Sequence, residues 1–317
     1  ELDDLAIARL VRDLGVDIAV DRKGFTTGAR TGIFALRPAP IQVNYLAYPG
    51  SMGASYIDYI LADSHVIPHE QHRHYSECVV TLPDSYQAND DKRVISTATP
   101  TRSTCGLPEQ GFVFCCFNNS HKISPDVFDS WMRLLAKVDG SVLWLFESSA
   151  VAARNLRREA ALRGIEPMRL HFAPPLPQAE HLARLKCADL FLDTLPYNAH
   201  TTASDALWAG VPVLTRIGST FAGRVAASLL HAISLPELVT TSVENYETLA
   251  LALATEPGKL ATLKAKLARN RNTAPLFDTR RFCRHLEAAF DTMWHRHLGG
   301  QPPASFSVER IHMNSDH

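Results

Sequence analysis

From about Gly111 onward, short apolar segments alternate regularly with longer amphipathic ones, and this alternation restricts the possible folds more than any other feature. Runs such as FVFCCF (residues 112–117) and SVLWLF (residues 141–146) have the length and composition of buried strands. The segment between them, VFDSWMRLLAKV, places its apolar residues at helical spacing. Strands that alternate with helices of about ten or more residues predict a parallel sheet covered on both faces. The sequence therefore predicts a Rossmann-like α/β domain here.

The rest of the chain divides by composition into further regions. Strand-like runs at 16–20 and 41–50 indicate the end of another α/β unit, and a polar stretch rich in Pro, Ser and Thr indicates a linker. The N-terminus lacks a starting Met, so we expect the chain to begin inside a longer protein. The predicted regions are the C-terminal part of a first Rossmann-like lobe over 1–85, an interdomain linker over 86–107, a second Rossmann-like lobe over 108–280, a C-terminal helix over 281–297 and a mobile tail over 298–317.

Composition and charge exclude several classes of partner. With 46% hydrophobic and 21% charged residues, the 317-residue chain has an ordinary globular composition. A formal net charge of −1 gives no reason to expect nucleic acid or an anionic membrane as a partner, and no apolar run reaches the ~18 residues of a membrane span. The six cysteines contain no C-x-x-C pair. They are typical of small buried hydrophobes in a reducing compartment, so we expect a cytoplasmic location.

Three loops that follow predicted strands carry the residues suited to chemistry. They are NNSHKI (118–123), APPLPQAEHLAR (173–184) and TLPYNAHTTASD (194–205). In an open parallel sheet, ligands bind beyond the carboxyl ends of the strands, so these loops can converge on one crevice.

The third loop runs into a helix at HTTASD. A helix N-terminus offers free N–H groups and a partial positive charge, and it therefore suits a phosphate group. Thr201 and Thr202 add hydroxyl donors there, and His200 can donate another hydrogen bond. Thr202 and Asp205 also fit a capping box, in which Asp205 would reach back to the helix start. The residues alone leave both interpretations open.

The residues of the other two loops each allow a non-functional and a functional interpretation. Lys122 is either a solvated lysine or a cation that balances charge on a leaving diphosphate. His181 and Arg184 share one helix face, either as surface residues or as a base-binding pair. A metal site at His69, His72 and His74 is disfavoured, because their spacing does not align three side chains on one helix face. The chain also has no Asp-x-Asp pair, so we expect no metal.

Several motifs, taken in order, resemble those of one family. Asp205 with the following Gly210-Val-Pro212 resembles the acidic-x-x-x-x-Gly-x-Pro segment of nucleotide-sugar glycosyltransferases with two facing Rossmann-like domains. The motifs FALRPAPIQVNYLAYPG, TRSTCGLPE, FNNSHKI and LDTLPYNAHTTASDALWAGVPVLT resemble the catalytic region of the O-GlcNAc transferases, especially bacterial-type members, over about residues 13–294. The resemblance implies a GT-B fold of which this chain holds only part of the first domain.

It also implies an activity and partners. The expected activity is inverting, metal-independent transfer of N-acetylglucosamine from UDP-GlcNAc to Ser or Thr hydroxyls of a protein or peptide acceptor. No cofactor is implied besides the donor substrate. First-lobe strands and TPR repeats are expected upstream in the same polypeptide. A UDP-sugar epimerase, a glycosyltransferase with small acceptors and an inactive UDP-binding module remain alternatives.

The resemblance further implies a role for each matching residue on the phosphate side. Thr201, Thr202 and His200 would hold the UDP diphosphate. Lys122 would act in catalysis by stabilising charge on the departing phosphate, and Asp205 would bind the ribose hydroxyls.

On the base and sugar sides, the implied contacts come from other segments. His181 would pack on uracil, whose edge Arg184 and the backbone near Leu176 would read. Thr26 and Gly50 would approach the sugar and the acceptor from the first lobe.

Three positions depart from the family pattern or match it imperfectly. Asn119 stands where the family has Gln, so its amide has a shorter reach. Gln178 stands where the family has Lys, so one ribose or phosphate contact is weakened or replaced. Asp13 lies near the place of an acidic residue proposed to help proton transfer, with its spacing off by one, and is the second catalytic candidate.

Overall fold

The computed structural model describes residues 2–311 and divides into two compact units. The first unit contains the chain up to Asn89 and returns from Asp278 onward, and the second unit is Asp90–Phe277. In the described range, no helix is long and apolar enough to cross a membrane. Each unit is built on its own parallel sheet.

The first unit is built on a five-stranded parallel sheet. Its strands are β1 (Ile18–Asp21), β2 (Ile41–Asn44), β3 (Tyr59–Asp63), β4 (Cys78–Leu82) and β11 (Phe306–Ser307), and its helices are α1 (Asp4–Asp13), α2 (Thr31–Ala35) and α10 (Thr279–Leu298). The strands follow one another across the sheet in the order β1-β2-β3-β4-β11. The strands β2 and β3 are buried along their whole length, because both faces of a parallel sheet are covered.

The second unit has a six-stranded parallel sheet with helices between its strands. Its core contains the fully buried rings of Trp131, Trp144, Phe114 and Phe191. Its strands are β5 (Val113–Cys116), β6 (Val142–Phe146), β7 (Leu170–Ala173), β8 (Leu190–Leu192), β9 (Val213–Arg216) and β10 (Val239–Thr240), and its helices are α3 (Pro125–Lys137), α4 (Ala150–Leu162), α5 (Gln178–Leu185), α6 (Thr201–Ala209), α7 (Val225–Ala232), α8 (Val243–Thr255) and α9 (Pro257–Asn270).

The strand order of this second sheet is β10-β9-β8-β5-β6-β7. The chain first builds outward from β5 to β7, then crosses back and builds outward from β8 on the other side. This is the Rossmann order, and the order reverses between β5 and β8. The predicted fold class, two α/β domains with parallel sheets, is confirmed.

Local sequence signals explain where the helices begin and end. Ser124 caps α3 by accepting a hydrogen bond from the backbone of Val127, and Pro125 occupies the first helical position, where a missing N–H is harmless. After α4, Gly164 takes a positive φ of 76°, as expected for the residue that stops a helix.

Most of the residues predicted as an interdomain linker belong to the second unit. From Asp90 onward they belong to the second unit, where the Ser96 N–H donates to the Ala179 carbonyl in α5 at 3.0 Å. Arg102 also pairs with Asp189 at 2.7 Å. The composition of this stretch resembles that of a free linker, but its backbone and charged groups have partners in the structure.

The first part of the predicted mobile tail contains a strand, so that prediction is wrong for these residues. Residues 312–317 lie outside the described range. Phe306 and Ser307 form β11, which pairs with β4, and the Phe306 ring contacts Tyr59 edge-on at 6.3 Å. Without β11, the backbone of β4 would lie at an open sheet edge. The helix predicted over 281–297 extends over Thr279–Leu298 and belongs to the first unit.

Candidate active site

The loops after β5 and β8 lie next to each other, because these two strands pair where the sheet order reverses. The loop after β5 contains a short 3-10 turn, Ser120–Lys122, and the loop after β8 leads into α6 at Thr201. Ligands of open parallel sheets bind at this point, beyond the carboxyl ends of the strands. The topology therefore marks this edge as the candidate site.

A cavity of about 510 Å³ opens at this edge. Eight of the ten residues predicted to bind the nucleotide line it, and they come from all three predicted loops. The lining residues are Asn119, Lys122, Leu176, His181, Arg184, His200, Thr201 and Thr202, together with Phe117, Asn118, Phe146 and Pro175. The expected convergence of the three loops on one crevice is confirmed.

The start of α6 does not use the predicted capping box. His200 is the cap residue and makes no side-chain capping bond. The Thr202 hydroxyl instead donates to the Asn118 side-chain oxygen, and Asp205 pairs with Arg93 at 2.5 Å. The capping-box interpretation is therefore wrong, because both of its side chains have partners from elsewhere in the chain. The α6 N–H groups receive no side-chain cap from His200.

Lys122 points its ammonium group into the loop after β8. Its Nζ donates to the Asn198 carbonyl at 2.9 Å and lies 4.0 Å from the centre of the Tyr197 ring. Burial lowers the pKa of Lys122, while the nearby Asp193 carboxylate opposes this shift. The lysine is thus a half-buried, fixed cation beside the helix start, and the interpretation as a freely solvated lysine is wrong.

Asp193, which was not among the predicted site residues, anchors the loop after β8. One carboxylate oxygen accepts from the backbone N–H groups of Thr194 and Ala199 at 2.7 and 2.6 Å, and the other accepts from the Thr215 hydroxyl at 2.7 Å. Burial raises the pKa of Asp193 to about 7, although these hydrogen bonds and Lys122 lower it. An acidic residue at a strand end was the available sequence signal.

Asn118 is the second residue that the sequence-based site omitted. Its side-chain NH₂ donates to the Thr194 hydroxyl at 2.7 Å, and its oxygen accepts from Thr202. The amide therefore connects the loop after β5 with both the loop after β8 and the start of α6. Two Asn residues directly after a strand were the signal for it.

His181 and Arg184 lie together on α5, as their spacing predicted. The Arg184 Nε and Nη2 atoms lie 3.2 and 3.1 Å from His181 Nδ1, and Arg184 Nη1 donates to the Pro174 carbonyl at 2.6 Å. Phe117 packs against both side chains. Burial and the adjacent guanidinium lower the pKa of His181 to about 4. The imidazole is therefore neutral near pH 7 and forms a flat partner for a planar ring.

His200 is also held neutral. Its ring stacks on Tyr197 with centroids 4.9 Å apart, and its Nε2 lies 3.2 Å from the Ala222 carbonyl. Burial, with a smaller effect of Lys122, lowers the pKa of His200 to about 3. A neutral imidazole donates through only one nitrogen, and because the Ala222 carbonyl can only accept, that donor is Nε2. The expected donation from His200 to a phosphate then requires that the ring take up a proton.

Two predicted nucleotide-binding residues are not among the lining residues of the cavity. Gln178 is the first residue of α5 and is exposed. Asp205 lies in α6, with its carboxylate in an ion pair with the Arg93 guanidinium.

The predicted residues of the first unit fall in different places. Thr26 and Gly50 lie in the loops after the neighbouring strands β1 and β2, and Phe25 packs edge-on against Tyr48 with centroids 5.4 Å apart. Asp13 is the exposed last residue of α1, just ahead of β1. The structure brings the loops of Thr26 and Gly50 together and places Asp13 before the strand rather than after it.

The histidines at 69–74 form a 3-10 turn in which the rings of His69 and His72 lie 5.0 Å apart. Over residues 2–311, no group of three or more His, Cys, Asp or Glu side chains is arranged to hold a metal ion. The six cysteines are free thiols; Cys283 is exposed, so the expectation that all of them are buried is wrong.

Two α/β units with parallel sheets, the second with a polar cavity at its switch point, have the architecture of the GT-B glycosyltransferase fold. Comparison with known proteins gives the family. The sequence profile of glycosyl transferase family 41 matches residues 4–99 and 89–286, and the chain belongs to this family.

Named relatives agree with this assignment. The chain is 40% identical to the probable UDP-N-acetylglucosamine–peptide N-acetylglucosaminyltransferase SEC of Arabidopsis thaliana, over 96% of this chain and 32% of that protein. It thus spans about a third of the length of that curated relative. Among solved structures, a mutant of the Thermobaculum terrenum O-GlcNAc transferase is 35% identical with a TM-score of 0.86, over 94% of this chain and 57% of that chain.

A more distant structure shares the fold alone. The putative UDP-N-acetylglucosamine 2-epimerase from Listeria monocytogenes is 13% identical with a TM-score of 0.51, over 96% of this chain and 81% of that chain.

Proposed function

We propose that this protein transfers N-acetylglucosamine from UDP-GlcNAc to Ser or Thr hydroxyls of protein acceptors, with inversion and without a metal ion. The observation that carries the proposal is the cavity at the switch point, where Lys122 and the start of α6 meet. The names of the relatives supply the donor and the acceptor class. Because the chain spans about a third of the Arabidopsis relative, the activity of the whole protein is part of the proposal.

In the proposed reaction, the acceptor hydroxyl oxygen bonds to the anomeric carbon of the sugar. The bond from that carbon to the diphosphate oxygen breaks, and UDP leaves with the electron pair. Negative charge then develops on the leaving diphosphate, and the Lys122 ammonium and the N–H groups at the start of α6 would stabilise it there. The hydroxyl proton goes to a base. Asp13 is the candidate from the sequence, although it precedes β1 whereas Thr26 follows it.

The same cavity supplies groups for the rest of the donor. Thr201 would donate its hydroxyl to the diphosphate, and Asn119 lines the same side. Thr202 would do so only by releasing its hydrogen bond to Asn118, because a hydroxyl has a single proton to donate. The neutral ring of His181 would pack on uracil, with Arg184 and the backbone at Leu176 reading its edge. Asp205 would receive the ribose hydroxyls, and Gln178 would add a weaker polar contact.

Two further parts of the proposal concern the acceptor and the cell. Thr26 and Gly50 would contact the sugar and the acceptor. We place the protein in the cytoplasm because its six cysteines are free thiols, as expected in a reducing compartment.

The direct test is transfer of labelled N-acetylglucosamine from UDP-GlcNAc to a Ser/Thr peptide. We expect label in the peptide, with a β-linked sugar by NMR as the sign of inversion. Conversion of UDP-GlcNAc to another UDP-sugar without an acceptor would indicate an epimerase. Label on small acceptors but not on peptides would indicate another glycosyltransferase. UDP binding with no sugar loss would indicate a binding module.

The role of Lys122 has a separate test. Lys122→Ala should lower kcat by about a hundredfold or more, since one preorganised charge at the leaving group is lost. UDP affinity should fall much less, because the other cavity contacts remain. The matched control is Lys137→Ala, which removes an exposed lysine at the end of α3 and should change neither value. An unchanged kcat in Lys122→Ala would remove the catalytic role.

A further inference from the structure

The guanidinium of Arg93 is enclosed in an aromatic pocket of the second unit. Its carbon CZ lies 5.5 Å from the centre of the Trp208 ring and 5.7 Å from that of Phe277, and its side chain is only 8% exposed. The Trp208 indole N–H also donates to the Arg93 carbonyl at 3.1 Å. Both the backbone and the side chain of Arg93 are therefore fixed against α6.

Arg93 uses this fixed position to hold Asp205. Its Nη1 atom donates to Asp205 Oδ1 at 2.5 Å, and the Asp205 side chain is 11% exposed. The pair is joined at one end only, because the buried Nη2 of Arg93 has no hydrogen-bond partner among residues 2–311. A buried pair with one unused donor contributes little net stability, since desolvation offsets its attraction. Its place next to the candidate site suggests a role in binding instead.

Asp205 lies on the same face of α6 as Thr201 and Thr202, which line the cavity. It follows Thr201 by four residues and Thr202 by three, and residues at these spacings are neighbours on a helix surface. The chain beyond Arg93 continues to α5, where the Ser96 N–H bonds to the Ala179 carbonyl. The segment 93–96 thus joins α6 to α5, the two helices that carry most of the nucleotide-binding candidates.

We propose that Arg93 is a positioning residue for nucleotide recognition, which fixes the Asp205 carboxylate so that its second oxygen, Oδ2, can accept hydrogen bonds from ribose hydroxyls. This inference rests on the proposed function, in which the cavity takes a uridine diphosphate. Within residues 2–311, Arg93 is the hydrogen-bond partner of the Asp205 carboxylate, and it bonds to Oδ1. Burial raises the pKa of Asp205, and Arg93 opposes that rise. Without Arg93, the carboxyl group would be less ionised and free to rotate.

The test compares nucleotides that differ only in the ribose. Dissociation constants for UDP, 2′-deoxy-UDP and 3′-deoxy-UDP are measured by calorimetry for the wild-type protein, Arg93→Met and Asp205→Asn. The wild-type protein should prefer UDP to at least one deoxy analogue by about tenfold, as expected for hydrogen bonds to a charged group. Arg93→Met and Asp205→Asn should both reduce that preference to about twofold or less.

Arg271 provides the matched control. Its guanidinium lies 5.6 Å from the centre of the same Trp208 ring and donates to the Trp208 carbonyl at 2.9 Å, but within residues 2–311 it forms no ion pair. Arg271→Met should therefore leave the preference for UDP unchanged, even if it lowers the melting temperature. A purely structural role of Arg93 predicts instead that UDP and the deoxy analogues weaken by the same factor, which would overturn the proposal.

The outcomes separate this inference from the proposed function. If the wild-type protein transfers sugar and prefers UDP through Asp205, but Arg93→Met keeps the full preference, then only the role of Arg93 fails. If the wild-type protein binds no uridine nucleotide, the proposed function fails first. Arg93→Lys gives a second measure: it keeps the charge with a shorter reach, and we expect an intermediate preference.

Discussion

Replacing Asp193 with Asn should remove the pH dependence that this residue imposes on stability. Asp193 is 3% exposed, and burial raises its pKa from an ordinary value of 3.8 to about 7. Ionising it inside the protein therefore costs about 4 kcal/mol more than ionising it in the unfolded chain, at about 1.36 kcal/mol per pKa unit. The folded state keeps the proton more tightly than the unfolded state does. The contribution of Asp193 to stability is thus fully present below about pH 4 and is lost as the pH rises through about 7.

The asparagine side chain in the Asp193→Asn variant would have almost the same shape as the aspartate, but it does not ionise. Its oxygen can accept from Thr194 and Ala199, and its NH₂ group can donate to the Thr215 oxygen. Between about pH 5 and about pH 8, the free energy of unfolding of the wild-type protein should fall by about 2.5 kcal/mol relative to that of Asp193→Asn. Other titrating groups are common to both proteins, so the difference between the two curves isolates Asp193.

The assay is urea unfolding followed by tryptophan fluorescence at several pH values. Thr215→Val is a control of opposite sign: it keeps the carboxylate but removes a hydrogen bond that lowers its pKa, so the decline should extend to a higher pH. Parallel pH profiles for the wild-type protein and Asp193→Asn would refute the reasoning, because they would mean that Asp193 ionises as easily when folded as when unfolded.

Three other predictions concern the cavity, the first unit and metal dependence. Asn118→Ala should lower the free energy of unfolding by about 1–3 kcal/mol and weaken UDP binding, because Thr202 loses its acceptor; calorimetry that shows unchanged binding would contradict this. Asp84→Asn should cost about 1–3 kcal/mol in urea unfolding, since Asp84 holds half-buried Arg281 at 2.7 Å, whereas removing the exposed partner in Arg310→Ala should cost less than about 1 kcal/mol. Adding EDTA should leave UDP affinity unchanged, and a loss of binding on chelation would show that a metal takes part.

Much of the second unit could be predicted because its signals are local. Apolar runs such as that of β5 and helical spacing such as that of α3 report which residues are buried, and a parallel sheet places the loops after its strands at one edge. Lys122 and Thr201 can therefore be assigned to one site from the sequence. The roles of individual residues on the ligand stay predictions.

What the sequence alone determined is the alternation of strands and helices from β5 to α7, the edge at which the candidate residues gather and, through its motifs, the family. Only the tertiary structure decided the partners of the buried polar groups. Asp205 forms no capping box because its carboxylate pairs with Arg93, which is 112 residues away in sequence. Phe306 lies in a strand and not in a mobile tail because it pairs with the edge of β4. The physical reason is that periodicity reports burial of one segment, whereas an ion pair or a strand pairing depends on which distant segments folding brings together.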